Sequence, residues 1–141
     1  MTPRPRHRLA RYVDDERVQA AIDAAESRTT GRIQVALAHG FWGDVRAAAE
    51  RAFTRLHVAG APDRNGVLFF VVPTRRKFVV LGDAGIHQEV GQEFWHRTTA
   101  ALRERFKNGD LTGGLVHGID EAGKELARHF PRRPQGQARR D

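Results

Sequence analysis

The sequence contains no cysteine, which excludes disulfide bonds, thiolate metal sites, a cysteine nucleophile and a cysteine-based phosphatase. Its single serine, Ser27, lies in no Gly-x-Ser-x-Gly setting and has no histidine nearby in the sequence. The seven histidines include no His-Glu-x-x-His pair, the usual sign of a zinc hydrolase. Nucleophilic and zinc chemistry are therefore not indicated.

Long apolar runs are also missing. The longest is Val67 to Pro73, far shorter than the roughly 20 residues that a membrane-spanning helix needs, so no transmembrane segment is expected. The basic residues 1–11 are followed by Asp14, Asp15 and Glu16, where a secretory signal would carry its apolar stretch. These features predict a cytoplasmic protein.

The net charge of +7 lies entirely in residues 1–11 and 131–141, whereas residues 12–130 carry 16 basic and 16 acidic side chains. A neutral body argues against specific nucleic-acid binding. The length suits one domain, so residues 14–131 are predicted to fold between basic tails at 1–13 and 132–141. Rich in arginine and proline, these tails are predicted to be disordered and to contact polyanions non-specifically.

Helices are predicted wherever apolar residues recur at steps of three and four between recognisable caps and stops. Aspartates precede most of them, and glycine or proline follows them. Four helices result: Asp15–Ser27, a segment from Asp44 to Gly60, Ile86–Phe106 with a kink near Gly91, and a segment from Asp110 to Pro131.

Three short segments predict strands. Ile33–Ala38 alternates apolar and polar residues, as a strand with one apolar face does. Val67–Val72 is continuously apolar, which is typical of a central strand covered on both faces. Phe78–Leu81 lies close enough in the sequence to pair with it as an antiparallel hairpin. The order α-β-α-β-β-α-α then predicts an α/β protein, a three-layer α/β/α sandwich with a small mixed sheet.

Chain direction predicts that three turns meet at one end of this sheet. If the first two strands are parallel and the last two form a hairpin, residues 26–31, 63–66 and 82–85 share an edge. Calcium takes about six to eight oxygen ligands, so a calcium site is one hypothesis. The alternative is that these residues only shape turns, and that the glutamate is a surface charge. The oxygen-bearing side chains concerned are Glu26, Thr30, Asp63, Asn65 and Asp83.

A phosphate site competes for the turn Gly82 to Gly85, which joins a strand to a helix whose free amides would attract anions. Asp83 argues against it, because its carboxylate would cap those amides itself or repel the anion. The glycine spacing also matches neither a dinucleotide-binding nor a Walker motif.

Three further features have structural interpretations. His117 is one residue from the apolar stripe of the last helix and is predicted to be half-buried. Phe41 and Trp42 follow the first strand and are expected to fold back onto the core, with an exposed aromatic contact as the alternative. Gly114 and Gly118 lie one turn apart in the last helix, which predicts close packing against the sheet or the preceding helix.

Several motifs, in this order and spacing, together resemble the TPM domain family over about residues 14–131. They are Glu26 to Ile33, Asn65 to Leu68, Gly82 to Ile86, Phe94-Trp95, Phe106 to Leu115 and His129 to Pro131. The resemblance implies a Rossmann-like α/β/α sandwich and, as in some bacterial members, calcium bound by loops at one end of the sheet. By motif, the implied ligands are Glu26, Asn65 and Asp83, with Asp63 at a position that varies.

The family includes a thylakoid-lumen acid phosphatase, photosystem II repair proteins and a receptor modulator. The preferred function is a non-catalytic accessory module that binds calcium, needs no organic cofactor and acts through a protein partner at membrane-protein assemblies. The alternative is a metal-assisted acid phosphatase acting on phosphate monoesters. In it, Asp83 and Glu26 would hold a cation that polarises a phosphoryl oxygen.

Overall fold

The computed structural model describes residues 13–38, 41–56, 58–60 and 62–132, apart from the side chain of Gln92. Val13 and Arg132, both assigned to the tails from the sequence, belong to the folded body. Val13 is buried in the core, and the Arg132 amide donates a hydrogen bond to the Arg28 carbonyl at 3.1 Å. The rest of both predicted tails lies outside the described residues.

Within these ranges the chain forms five α-helices and three strands, with single-turn 3-10 helices at Val58–Gly60 and Pro73–Arg75. The order is α1 (Asp15–Glu26), β1 (Arg32–Leu37), α2 (Val45–Arg55), β2 (Gly66–Val72), β3 (Lys77–Gly82), α3 (Ala84–Glu89), α4 (Gln92–Lys107) and α5 (Leu111–His129).

Aspartates begin three of the long helices, as the sequence predicts. Asp14 accepts a hydrogen bond from the Arg17 amide, Asp44 from the Ala47 amide, and Asp110 from the Gly113 amide. Each carboxylate thereby satisfies an amide that has no partner inside its own helix.

The prediction of one helix over Ile86–Phe106 with a kink near Gly91 was wrong, because the chain forms two separate helices there. Val90 and Gly91 have extended backbones, with ψ angles of 150° and −177°, so the segment is divided into α3 and α4. The apolar spacing does not reveal this break, because Ile86, Val90 and Phe94 are all buried in the same core. Periodicity reports which residues face the core, and the backbone between them can change direction.

The sheet has the order β1-β2-β3 and is mixed. β1 lies parallel to β2, with Ile33 opposite Val67, and β2 lies antiparallel to β3, with Phe70 opposite Val79. Helix α2 is the crossover between the parallel strands, as expected for this connection. Both predicted pairings are confirmed.

Every residue of β2 is buried, so this strand contributes to two cores. On one face Val67, Phe69 and Val71 pack with residues of α1, α4 and α5. On the other face Leu68, Phe70 and Val72 pack with residues of α2. Helices therefore cover both faces of the sheet, and the predicted three-layer α/β/α sandwich is confirmed.

Two of the four glycines of α5, Gly114 and Gly118, lie where neighbouring side chains come close. A Cβ atom at Gly118 would stand 3.1 Å from the Phe69 ring and 3.3 Å from Leu102, and one at Gly114 would stand 2.9 Å from Phe106. Close packing against both the sheet and α4 is thus confirmed. His117 is half-buried, also as predicted.

The aromatic pair after β1 behaves in two ways. Phe41 packs against the α2 side of the core, as expected. Trp42 does not fold back, since 94% of its surface is exposed. Among the described helices, none has the length and apolar character that a bilayer crossing requires.

Candidate functional site

Three loops meet at one end of the sheet, and we call residues 29–31, 63–66 and 82–85 the rim loops. Strand pairing brings them together, because Arg32 lies opposite Gly66 and Val67 lies opposite Gly82. The Asp83 amide donates to the Gly66 carbonyl at 2.9 Å. The convergence predicted from chain direction is therefore present.

The rim loops pack too closely to allow a side chain at Gly85. A Cβ atom there would overlap the carbonyl oxygens of Asp63 and Arg64. The Gly85 amide also donates to the Arg64 carbonyl at 2.8 Å. The backbones of two rim loops are in this way fixed against each other.

Asp83 is the most constrained acidic side chain of the rim loops, with 5% of its surface exposed. Its Oδ1 accepts a hydrogen bond from the Ala84 amide at 2.7 Å, at the start of α3. Arg64 donates from Nε to Oδ2 at 3.0 Å and from Nη2 to Oδ1 at 3.1 Å. The guanidinium thus engages both carboxylate oxygens.

Burial by itself would raise the pKa of Asp83, because it disfavours the charged form. The hydrogen bonds from the Arg64 side chain and the Ala84 amide, together with the charge of Arg64, outweigh it and hold the pKa of Asp83 below its usual value. Asp83 is therefore a stable carboxylate that caps α3. This geometry agrees with the expectation that Asp83 would disfavour phosphate in the turn.

Arg64 was not predicted to belong to this site. It has a backbone φ of 53°, in the left-handed region that non-glycine residues seldom adopt. Its side chain is 58% exposed, although its partner Asp83 is buried. An arginine in a turn usually remains solvated, so its residue type did not indicate a role in the site. Its position between Asp63 and Asn65 was the one feature of the sequence that could have indicated it.

Asn65 has no exposed surface at all. Its Nδ2 donates to Thr30 Oγ1 at 3.1 Å, and Thr30 Oγ1 donates to Asp63 Oδ2 at 3.3 Å. The other amide atom, Oδ1, is buried and receives no hydrogen bond from the described residues. A buried carbonyl without a donor costs about 1–3 kcal/mol, so a water or ion is the usual explanation for such an atom.

Glu26 lies at the same end of the sheet, on its outer side. Its Oε2 accepts a hydrogen bond from the Ile33 amide at 2.7 Å, so its carboxylate covers part of the free edge of β1. Glu26 is half-buried in a groove of about 370 Å³ between α1 and β1. It is thus more than the free surface charge that the turn-shaping alternative assumed.

In the described part of the chain, no three His, Cys, Asp or Glu side chains are arranged to hold one metal ion. Glu26, Asp63 and Asp83 consequently do not form a three-carboxylate centre. What the rim loops bring together is the linked set of Asn65, Thr30 and Asp63, with the Asp83–Arg64 pair beside it. Metal binding by Glu26, Asp63, Asn65 and Asp83 stays a prediction.

Thr29 is a further buried residue that the sequence did not single out. Its Oγ1 donates to the Phe130 carbonyl at 2.6 Å and accepts a hydrogen bond from the Gly31 amide at 3.0 Å. The Thr30 amide also donates to the Phe130 carbonyl, at 3.0 Å. The end of α5 therefore holds the first rim loop in place.

Comparison with known families matches residues 11–125 to the TPM domain. Among solved structures, the NMR structure of the BA42 protein from the psychrophilic bacterium Bizionia argentinensis has 37% sequence identity and a TM-score of 0.78. The alignment covers 85% of each chain. No functionally curated protein shows significant similarity to this chain.

A more distant similarity concerns the N-terminal domain of the cg2496 protein from Corynebacterium glutamicum. It has 17% identity and a TM-score of 0.61, over 79% of this chain and 70% of that one. At this identity the comparison supports the fold alone.

Proposed function

Because this chain belongs to the TPM domain family, we propose that it is a non-catalytic module that binds a divalent cation, calcium first of all, at the rim loops. It would act through a protein partner. The observation that carries the proposal is Asn65 Oδ1, a fully buried oxygen with no hydrogen-bond donor among the described residues. An ion at this atom would remove the cost of leaving it unpaired.

The residues around Asn65 have the chemistry that calcium prefers. The hard oxygen ligands here are the Asn65 amide oxygen, the Thr30 hydroxyl and the Asp63 carboxylate, and water would complete the coordination. Asp63 is exposed, so an ion could reach it from solvent. With few carboxylates directly available, the expected affinity lies at the weak end of the calcium range, about 10⁻⁴–10⁻³ M.

The electrostatics of Asp83 support a binding role over a catalytic one. A general acid at neutral pH needs a raised pKa, whereas Arg64 and the Ala84 amide hold the pKa of Asp83 below its usual value. The carboxylate of Glu26 is likewise engaged by the Ile33 amide. The phosphatase alternative would need Glu26 to leave the Ile33 amide and to join Asp83 at one cation.

The test is a titration of metal-free protein with calcium chloride while amide resonances are recorded. We expect saturable shifts at Thr30, at residues 63–66 and at residues 82–85, with sodium chloride at equal ionic strength producing none. Asp63→Asn should weaken calcium binding about tenfold by removing a charged ligand. The matched control is Asp120→Asn, because Asp120 is a half-exposed aspartate on α5.

Two results would contradict the proposal. Shifts spread over all acidic side chains, or equal affinities for the Asp63 and Asp120 variants, would indicate unspecific ion association. Calcium-dependent hydrolysis of p-nitrophenyl phosphate that disappears in Asp83→Asn would instead favour the phosphatase.

A further inference from the structure

The Arg64 guanidinium already occupies the position of a cation at the rim loops. It donates to both carboxylate oxygens of Asp83, at 3.0 and 3.1 Å, in the forked geometry that arginine forms with carboxylates. A metal ion bound to Asp83 would compete with this guanidinium for the same two oxygens. The protein thus carries its own competitor for the most buried carboxylate of the site.

The two members of this pair differ in how firmly they are held. Asp83 is 5% exposed and is fixed by the Ala84 amide, whereas the Arg64 side chain is 58% exposed and its long stem has many rotamers in water. Release of Arg64 into water is therefore the easier of the two movements.

The backbone around Arg64 would hold the loop while the side chain leaves. The Arg64 carbonyl accepts the Gly85 amide at 2.8 Å, and Asn65 remains bonded to Thr30. These bonds do not involve the guanidinium. A side-chain exchange at Asp83 thus requires no unfolding of the rim loops.

We propose that Arg64 is a tethered counter-ion that a divalent cation must displace from Asp83, and that it thereby sets the affinity and the charge selectivity of the rim loops. This inference rests on the proposed function. A monovalent ion would replace one positive charge by another and gain little, whereas a divalent ion adds a charge at the carboxylate. Arg64 accordingly selects against sodium and potassium.

The first experiment measures the calcium affinity of Arg64→Gln, which keeps hydrogen-bonding capacity but removes the charge. Its dissociation constant should fall about tenfold relative to wild type, because no cation then competes for Asp83. Arg64→Lys keeps the charge without the fork and should lie between the two. The matched control is Arg76→Gln, since Arg76 is also an exposed arginine with a positive φ, 54°, but lies at the opposite end of the sheet.

The second measurement uses the wild-type protein and does not depend on a variant that folds. The Nε–H resonance of Arg64 should shift with calcium to the position of a solvated arginine, while that of Arg76 stays unchanged. An Arg64 resonance that is unaffected at saturating calcium would overturn the inference.

The outcomes separate this inference from the proposed function. If wild type and Arg64→Gln bind calcium equally well at the rim loops, cation binding stands and the role of Arg64 is refuted. If neither protein binds calcium, both proposals fail. Tighter binding by Arg64→Gln together with displacement of Arg64 in wild type supports both.

Discussion

Asn65 and Asp83 at the rim loops are almost completely buried, whereas Trp42 at the opposite end of the same sheet is 94% exposed. The arginines differ in the same way. Arg64 bonds to a buried carboxylate, while Arg75 donates to the Gly43 carbonyl and lies 5.4 Å from the centre of the Phe41 ring. At the rim loops an arginine therefore pairs with a buried carboxylate, whereas at the opposite end an arginine contacts a backbone carbonyl and an aromatic ring of a loop.

This contrast shows where the structure constrains the sequence. At the rim loops, backbone carbonyls stand where the side chain of residue 85 would be. At the opposite end, a Cβ atom at Gly43 would have the Phe41 ring 3.9 Å away, an ordinary contact. Substitutions at the rim loops should therefore change stability and binding together, and those at the other end should change neither.

The largest difference is expected between the glycines. Gly85→Ala should lower the free energy of unfolding by about 3 kcal/mol, because the new methyl group forces the backbone of residues 63–64 away from α3. Gly43→Ala should change it by less than about 0.5 kcal/mol. Urea unfolding of both variants checks this, and equal destabilisation would remove the contrast between the two ends.

An intermediate effect is expected for Asp83→Asn, which loses the charged partner of Arg64. The free energy of unfolding at pH 7 should fall by about 1–3 kcal/mol. The matched control is Asp44→Asn at the opposite end, where asparagine can also cap α2, and its loss should be below about 0.5 kcal/mol.

The same variant sharpens the electrostatic part of the comparison. Since the pKa of Asp83 is lowered in the folded protein, its contribution is complete above the unfolded value of 3.8 and is lost as the pH falls through the folded pKa. Wild type should therefore lose stability towards acid more steeply than Asp83→Asn, and the two stabilities should approach each other. Parallel pH profiles for the two proteins would contradict the role of Arg64 as partner of Asp83.

The smallest effect on stability is expected for Trp42→Ala, within about 0.5 kcal/mol of wild type. The change should instead appear in fluorescence. Trp42 is exposed and Trp95 is half-buried beside Gly82, so removing Trp42 should abolish most of the quenching by iodide. Undiminished quenching in this variant would show that the indole at position 42 is protected in solution.

Much of the fold could be predicted because its signals are local. Aspartates mark the helix starts, and the continuous apolar run of β2 reflects burial on both faces. The division into two helices at Gly91 was not predicted, because the apolar spacing continues across it. Glycine is compatible with both a kinked helix and an extended N-cap, so the sequence did not decide between them.

The meeting of the rim loops could also be predicted, since it follows from strand direction alone. The partners of the individual side chains could not. The Arg64 side chain reaches Asp83 from a residue with a left-handed backbone, and no glycine in that position indicates this conformation in the sequence. The Glu26 side chain turns to the free edge of β1. Such directions depend on local torsion angles, which the spacing of residue types does not encode.

The hydrogen bonds between the first rim loop and the end of α5 have a mechanical consequence. Thr29 and Thr30 both donate to the Phe130 carbonyl, and the Arg132 amide donates to the Arg28 carbonyl. Tension applied to the chain beyond α5 would thus load the segment that carries Thr30 before it reached the sheet. A force on the C-terminal end of α5 would therefore act on the rim loop that contains Thr30, whose hydroxyl bonds to Asn65.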